Sequence, residues 1–226
     1  QAFRDATNLV KIDLNMIEEL GFKAFANTGL EEVIMPNNLT YIEEQVFANC
    51  DNLRRVVISN DCCNFDYSNI FYQSYHIEEI VVEDFNKYYL YENGVLYNST
   101  KTVLYAYNDK SSSEFVIPEG VEKIALNAFY QNTTLEKVVL PSTLKAIGDK
   151  AFYGCTSLKT FVFLSDTAPA LEGLYQEGML YPYANFVDYI ELVPENGLEV
   201  TIYYNGDESY QTIIWQSYFK NYEVIE

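Results

Sequence analysis

A small or aliphatic residue followed by Phe recurs along the chain, at Ala2-Phe3, Ala24-Phe25, Val46-Phe47, Ile70-Phe71, Ala128-Phe129 and Ala151-Phe152. Successive Phe residues stand 22, 22, 24, 58 and 23 positions apart, so one interval holds extra material. Other apolar positions keep phase with this anchor. Five or six residues on comes Leu9, Leu30, Leu53, Ile77, Leu135 or Leu158. Three further comes Ile12, Val33, Val56, Ile80, Val138 or Phe161, and two beyond that Leu14, Met35, Ile58, Val82, Leu140 or Phe163. Several units then turn at Pro36, Pro118 or Pro141 and re-enter with Leu39, Val121 or Leu144 and Ile42, Ile124 or Ile147. A fixed period of this length is the mark of a stacked-coil architecture.

The Leu-x-x-Val-x-Leu stretch ends in strict alternation, which predicts a short strand with one buried face. The segment from Ile147 to Cys155 spaces Phe and Ala as a helix does, which predicts a helical turn or tight loop opposite the strand. One unit cannot bury its apolar side alone, whereas stacked units can, each large side chain contributing roughly 1.5–3 kcal/mol. Strands of successive coils return to the same edge and therefore lie parallel. With Val33, Met35, Val56, Ile58, Ile80 and Val82 inward, a central outer column forms from Asp13, Ile34, Val57, Val81, Val116, Val139 and Val162. A neighbouring column holds Lys11, Glu32, Arg55, Glu79, then Glu114, Lys137 and Thr160, with the first four alternating in sign.

The long interval contains Asn93-Gly94 between Tyr89-Leu90-Tyr91 and Val95-Leu96-Tyr97, a strong hairpin signal. Asn98-Ser99-Thr100-Lys101 then turns into Thr102–Tyr107, predicting a three-stranded meander with Tyr91 opposite Leu96 and Leu90 opposite Tyr97. After Phe163 the period stops. Val200–Tyr204 and Tyr210–Ile225 predict a closing strand and a short helix around Trp215, a core aromatic of the cap or a ligand-stacking residue.

Ile147-Gly148-Asp149-Lys150-Ala151-Phe152-Tyr153-Gly154-Cys155-Thr156-Ser157-Leu158 closely resembles the repeat of the BspA-like leucine-rich-repeat proteins, as does Ile117–Ile124. The resemblance implies a surface or secreted protein of the kind found in anaerobic bacteria and some protozoa, used in adhesion or host binding, with no catalytic residues. The expected fold is an α/β leucine-rich-repeat solenoid, rich in β-structure. Short parallel strands make one curved sheet with short helical turns opposite, plus an inserted β-meander and a C-terminal cap. We expect a single domain over 1–226, with repeats at 1–86 and 109–164, the meander at 87–108 and the cap at 165–226. Phe3 and Leu9 have no preceding coil to cover them, so the chain is expected to begin in mid-repeat.

Composition narrows the function. Of 226 residues 49% are hydrophobic, enough for a core, and the net charge is −19. Such a chain repels phosphate backbones and anionic headgroups, so nucleic acid and membrane surfaces are not expected partners. No apolar run approaches the roughly 18 residues of a membrane span. Cys50 and Cys155 each follow a repeated Phe by three residues and read as core thiols. Cys62-Cys63 reads either as two loop thiols or as a strained vicinal disulfide. His76 is the one histidine, placed in a turn, which leaves no Ser-His-Asp set elsewhere and no His-based metal cluster. Acid pairs such as Glu31-Glu32 and Glu78-Glu79 recur in phase, which marks polar surface positions rather than a glycosidase pair.

The expectation is a non-enzymatic extracellular or cell-surface protein without cofactor or metal, mediating adhesion or protein–protein interaction. Glycan capture through exposed tyrosines and a plain structural spacer are the alternatives. Alternation along the meander puts Leu90, Val95, Tyr97, Leu104 and Ala106 on one face. Tyr89, Tyr91, Tyr105 and Tyr107 share the other, with Leu96 and Val103, and are the candidate residues for a protein or glycan partner.

Overall fold

The structure, a computed structural model, describes residues 1–172, 175–176, 179–180, 201–211 and 221–224. The chain divides into two compact units, Gln1–Ser99 and Thr100–Glu226, with the boundary inside the predicted insert. Each unit is a β-solenoid whose coils repeat in register.

In the first unit the strands Glu32–Met35, Arg55–Ile58 and Glu79–Val82 pair in parallel, with Glu32, Arg55 and Glu79 side by side, then Ile34, Val57 and Val81. In the second unit Glu114–Val116, Lys137–Leu140 and Thr160–Phe163 do the same. The register is the one expected from alternation. Val33, Met35, Val56, Ile58, Val138, Leu140, Phe161 and Phe163 are buried. Lys11 and Asp13, expected to head the outer columns, lie outside any strand, because the first element of the chain is Glu19–Leu20.

Two features differ from expectation. The first is the number of sheets. Re-entry after the proline turn makes a second set of parallel strands, Glu19–Leu20 with Tyr41–Ile42 in the first unit. In the second unit Val103–Tyr107, Lys123–Ile124, Ala146–Gly148 and Ala170–Glu172 pair in that order. Each coil thus contributes two strands to two sheets rather than one. The same turn precedes the second strand in three coils, where the N–H of Leu39, Val121 and Leu144 bonds the carbonyl of Pro36, Pro118 and Pro141.

The second difference is that, among the described residues, Phe71 alone of the repeated Phe has a helical turn beside it. Among the described residues the helical elements are Tyr67–Ile70, capped by Asp66, and a 3-10 turn at Glu208–Gln211. The reason is backbone handedness. Residues two before and two after the ladder Phe have positive φ: Lys23 and Asn27 around Phe25, Gln45 and Asn49 around Phe47, Asn127 and Gln131 around Phe129, Lys150 and Gly154 around Phe152. A left-handed residue other than Gly costs roughly 1–2 kcal/mol. It also turns alternate N–H groups away from the coil's own carbonyls and toward the next coil. Phe25 N–H bonds Val46 O at 2.9 Å, Asn27 bonds Ala48 at 2.8 Å, Phe47 bonds Ile70 at 3.0 Å and Phe129 bonds Ala151 at 2.7 Å.

The rings follow the backbone. Phe3, Phe25, Phe47 and Phe71 stack with centroids 5.2, 5.5 and 5.5 Å apart, and Phe129 stacks on Phe152 at 4.6 Å. Phe3 ends its ladder and is 46% exposed. Three positions after Phe47, Phe71 and Phe152 a donor reaches back to the ladder carbonyl of the preceding coil: Cys50 Sγ to Phe25 O, Ser74 Oγ to Phe47 O, and Cys155 Sγ to Phe129 O. The thiol core reading of Cys50 and Cys155 therefore holds, and burial pushes the Cys155 thiol up to about 12.

Beyond Phe163 the parallel sheet continues. Thr201–Tyr204 pairs with Thr160–Phe163, and Asn221–Val224 pairs with Thr201–Tyr204. A strand is therefore present within Val200–Tyr204 as expected, a second strand stands at Asn221–Val224 within the stretch read as a short helix, and Trp215 lies outside the described residues.

The ladder makes a graded prediction. Phe47→Ala, in the fully buried middle of the stack, should cost about 3–5 kcal/mol in a denaturant titration. Phe3→Ala, at the exposed end, should cost less than half as much. Equal losses would mean that burial along the stack does not set what each ring contributes.

Candidate functional site

The tyrosines proposed from the sequence belong to the two units separately. In the first, Asn93 and Gly94 have φ of 50° and 77°, the signature of a tight type I′ hairpin turn. Tyr89–Glu92 pairs antiparallel with Val95–Asn98 in the expected register, Tyr91 opposite Leu96 and Leu90 opposite Tyr97. Both faces of this hairpin are covered, since Val95, Leu96 and Tyr97 are all buried.

Tyr89 is a correction to the outward set. It is buried, its ring 5.0 Å from that of Phe65. Its hydroxyl accepts from the Phe65 N–H at 2.7 Å and donates to the Phe65 carbonyl, so it pins the loop of the preceding coil. Tyr91 is half-buried. Burial pushes the neighbouring Tyr67 phenol well above its ordinary value, and Tyr91 adds to that rise.

Tyr107 is the second correction. The third predicted strand forms at Val103–Tyr107, and in the second unit it carries a part the sequence reading missed. Tyr107 is buried and stacks on Phe129 at 5.0 Å, and its N–H bonds Ala128 O at 2.8 Å. It therefore occupies the ladder position of its coil. The signal was present, because Ala106-Tyr107 obeys the small-then-aromatic rule and stands 22 residues before Phe129. Beside it, Asp109 accepts from the Ser111 and Ser112 hydroxyls and the Ser111 N–H, which holds its carboxyl at about 2. Burial, with the Asp109 charge second, pushes the Tyr107 phenol up to about 12. Tyr105, also in this strand, is half-buried.

The surface left open lies instead on the outer faces of the first-named sheets. Ile34 is 46% exposed and Val116 57% exposed, each in a column of β-branched residues: Ile34, Val57, Val81 in one unit and Val116, Val139, Val162 in the other. Val57 is only 7% exposed, yet Val56 and Ile58 on either side of it are fully buried. Alternation puts it on the opposite face, where Ile34 and Val81 cover its flanks.

Beside these columns the charges are paired. Arg55 bonds both Glu32 and, at 2.9 Å, Glu79, while Arg54 lies 3.8 Å from Glu78. In the second unit Lys137 meets Glu114 at 2.8 Å and Lys159 meets Glu136 at 3.0 Å. The acid pairs Glu31-Glu32 and Glu78-Glu79 thus bracket Arg54-Arg55 in a sign-alternating row. Pairs this exposed contribute at most about 1 kcal/mol each. His76 is exposed in its turn. Among the described residues no group of His, Cys, Asp and Glu is placed to hold a metal, and no helix is long and apolar enough to cross a membrane.

The repeated coil, its two parallel strands and its aromatic ladder define a leucine-rich-repeat β-solenoid, a scaffold of the protein-binding kind. The chain belongs to the BspA-type family: the model described as "BspA type Leucine rich repeat region" matches it in 6 copies over residues 1–102 and 100–176. The pneumococcal vaccine antigen PcpA is similar in fold, with a TM-score of 0.51 at 17% identity over 92% of this chain and 70% of that one. A leucine-rich cell surface protein from Faecalibacterium prausnitzii is 18% identical, with a TM-score of 0.44, over 94% of this chain and 52% of that one. A leucine-rich repeat protein from Eubacterium ventriosum is 25% identical, with a TM-score of 0.39, over 67% of this chain and 41% of that one. The chain thus spans about half or less of the last two. No curated protein matches it.

The Tyr107 environment predicts an alkaline weakness. Its folded pKa lies above the ordinary tyrosine value of about 10, so its contribution is complete below pH 10 and is lost as pH rises toward 12. Denaturant titrations at pH 8 and 11.5 should show a smaller loss in Tyr107→Phe than in the parent, by about one proton's linkage. An unchanged pH slope in the variant would place the titrating phenol elsewhere.

Proposed function

We propose that this chain is a non-enzymatic scaffold at the cell surface or outside the cell, and that it engages a protein partner in adhesion. The observation that carries the reading is the pair of β-branched columns on the outer sheet faces, open at Ile34 and at Val116, each bordered by ion-paired charges. An apolar centre within a polar margin is the anatomy of a protein interface. The family supports the placement, since the resemblance to it implies a surface or secreted protein. Of the tyrosines first considered, Tyr91 and Tyr105 keep part of their surface and remain candidate contacts in their own strands, outside the sheets that carry the two columns. Tyr89 and Tyr107 serve the core, which removes half of the set on which glycan capture through the meander rested.

The test is a side-by-side screen of the purified chain against host matrix proteins and a glycan array, repeated with Ile34→Glu and Val116→Glu. A protein hit should weaken at least about tenfold in one or both variants, as for a central contact residue. The denaturation free energy should stay within roughly 0.5 kcal/mol, as for exposed sites. A partner that binds both variants at full strength, or hits confined to the glycan array, would contradict the proposal.

A further inference from the structure

The second sheet of the first unit carries a feature that the adhesion reading does not use. Phe22, Tyr41, Ile42, Glu43 and Glu44 line a shallow cavity of about 400 Å³. That volume lies at the small end of ligand clefts, roughly 300–1,000 Å³, with room for one or two long side chains. Two of its walls are aromatic rings left in solvent, Phe22 at 40% and Tyr41 at 55% exposure. An exposed aromatic pair in a chain whose ladder rings are otherwise stacked and buried is not required by the fold.

The surroundings are anionic. Tyr41 sits in register with Glu19 across the two-stranded sheet, and Glu43 and Glu44 stand two and three residues after it. Glu43 is held in place, because one of its carboxylate oxygens accepts the Phe22 N–H. Glu44 and Glu19 are exposed. The cation nearby, Lys23, points its ammonium over the Phe22 ring at 4.9 Å from the centroid. One ring of the cavity wall therefore already receives a cation from its own chain.

We infer that the Phe22–Tyr41–Glu43–Glu44 cavity is a docking site for a lysine or arginine side chain of a protein partner, the cation resting on Tyr41 and paired with the two carboxylates. A ring face attracts a cation through its quadrupole, and adjacent carboxylates supply the charge-assisted hydrogen bonds. A net charge of −19 draws basic partners toward the whole chain, and the aromatic pair then selects where the side chain settles.

The experiment titrates the full chain with a capped penta-lysine peptide by calorimetry and by NMR at physiological salt. Tyr41→Ala should weaken binding by about two- to fivefold, as expected for an exposed cation–ring contact, while Tyr41→Phe restores it. The pair Glu43→Gln with Glu44→Gln should weaken it further, and the Gln side chain at 43 still offers an oxygen to the Phe22 N–H. A charge-matched pair in the second unit, Glu208→Gln with Glu223→Gln, should change it by less than about twofold, because only screened long-range attraction is lost. Equal losses in the two charge-matched pairs would overturn the site, leaving only the field of an acidic protein. Retention of full affinity by Tyr41→Ala would also overturn it, as would displacement of the peptide by chitotetraose, which would make the rings a sugar platform. Ile34→Glu should leave peptide binding unchanged, so this site and the outer-face reading fail separately.

Discussion

The constraint on which the structure rests is that each coil's turn cannot satisfy its own backbone. Left-handed residues on either side of the ladder Phe aim the N–H groups at positions 25, 27, 47, 49, 129 and 131 at carbonyls of the following coil. Those groups would be costly if buried unpaired. Stacking of coils is thus imposed by the backbone and not only by apolar burial. Once adjacent coils are locked at that turn, the rings come within 4.6–5.5 Å of one another, and Cys50, Ser74 and Cys155 reach the carbonyls that the ladder leaves available. The parallel strands on the other sides of the coil inherit their register from the same lock.

This geometry explains which parts were legible in the chain. The period of apolar residues, the inward and outward alternation of Val33, Ile34 and Met35, and the Asn93-Gly94 hairpin appear as expected, whereas Val57, expected outward, is buried like Val56 and Ile58. The second sheet was visible as Leu39 with Ile42, Val121 with Ile124 and Leu144 with Ile147. A pair of residues is too short to declare a strand, however, and only the neighbouring coils make it one. Of the helical turn or tight loop expected at 147–155, the tight loop is what forms, although Ala and Phe spacing there imitates a helix. The contrary signal is the run of Asn, Gln, Lys and Gly at the two flanking positions, residues that tolerate or favour positive φ.

The candidate site was less legible than the fold. Alternation assigns tyrosines to faces, but it does not say which face another part of the chain will cover. Tyr89 was lost to the surface because Phe65, 24 residues earlier, supplies both a ring and a backbone pair for its hydroxyl. Tyr107 was lost because it is a ladder residue in place of Phe, and a rule restricted to Phe passes over it. The surfaces that remain are set by the solenoid itself. Among the described residues Ile34 and Val116 on the outer faces stay exposed, so β-branched side chains suited to strand geometry form an apolar strip, bordered by charges that neighbouring coils neutralise. A scaffold of this kind offers a partner repeated positions at fixed spacing and needs no reactive group to do so.

The most direct test of the account is NMR detection of scalar couplings through hydrogen bonds at the ladder turns. The account predicts couplings from the amide nitrogens of Phe25, Phe47 and Phe129 to the carbonyl carbons of Val46, Ile70 and Ala151, one coil away. Couplings from those amides to carbonyls four residues earlier in the chain would show helical turns, and would contradict the cross-coil lock from which the rest of the structure is derived.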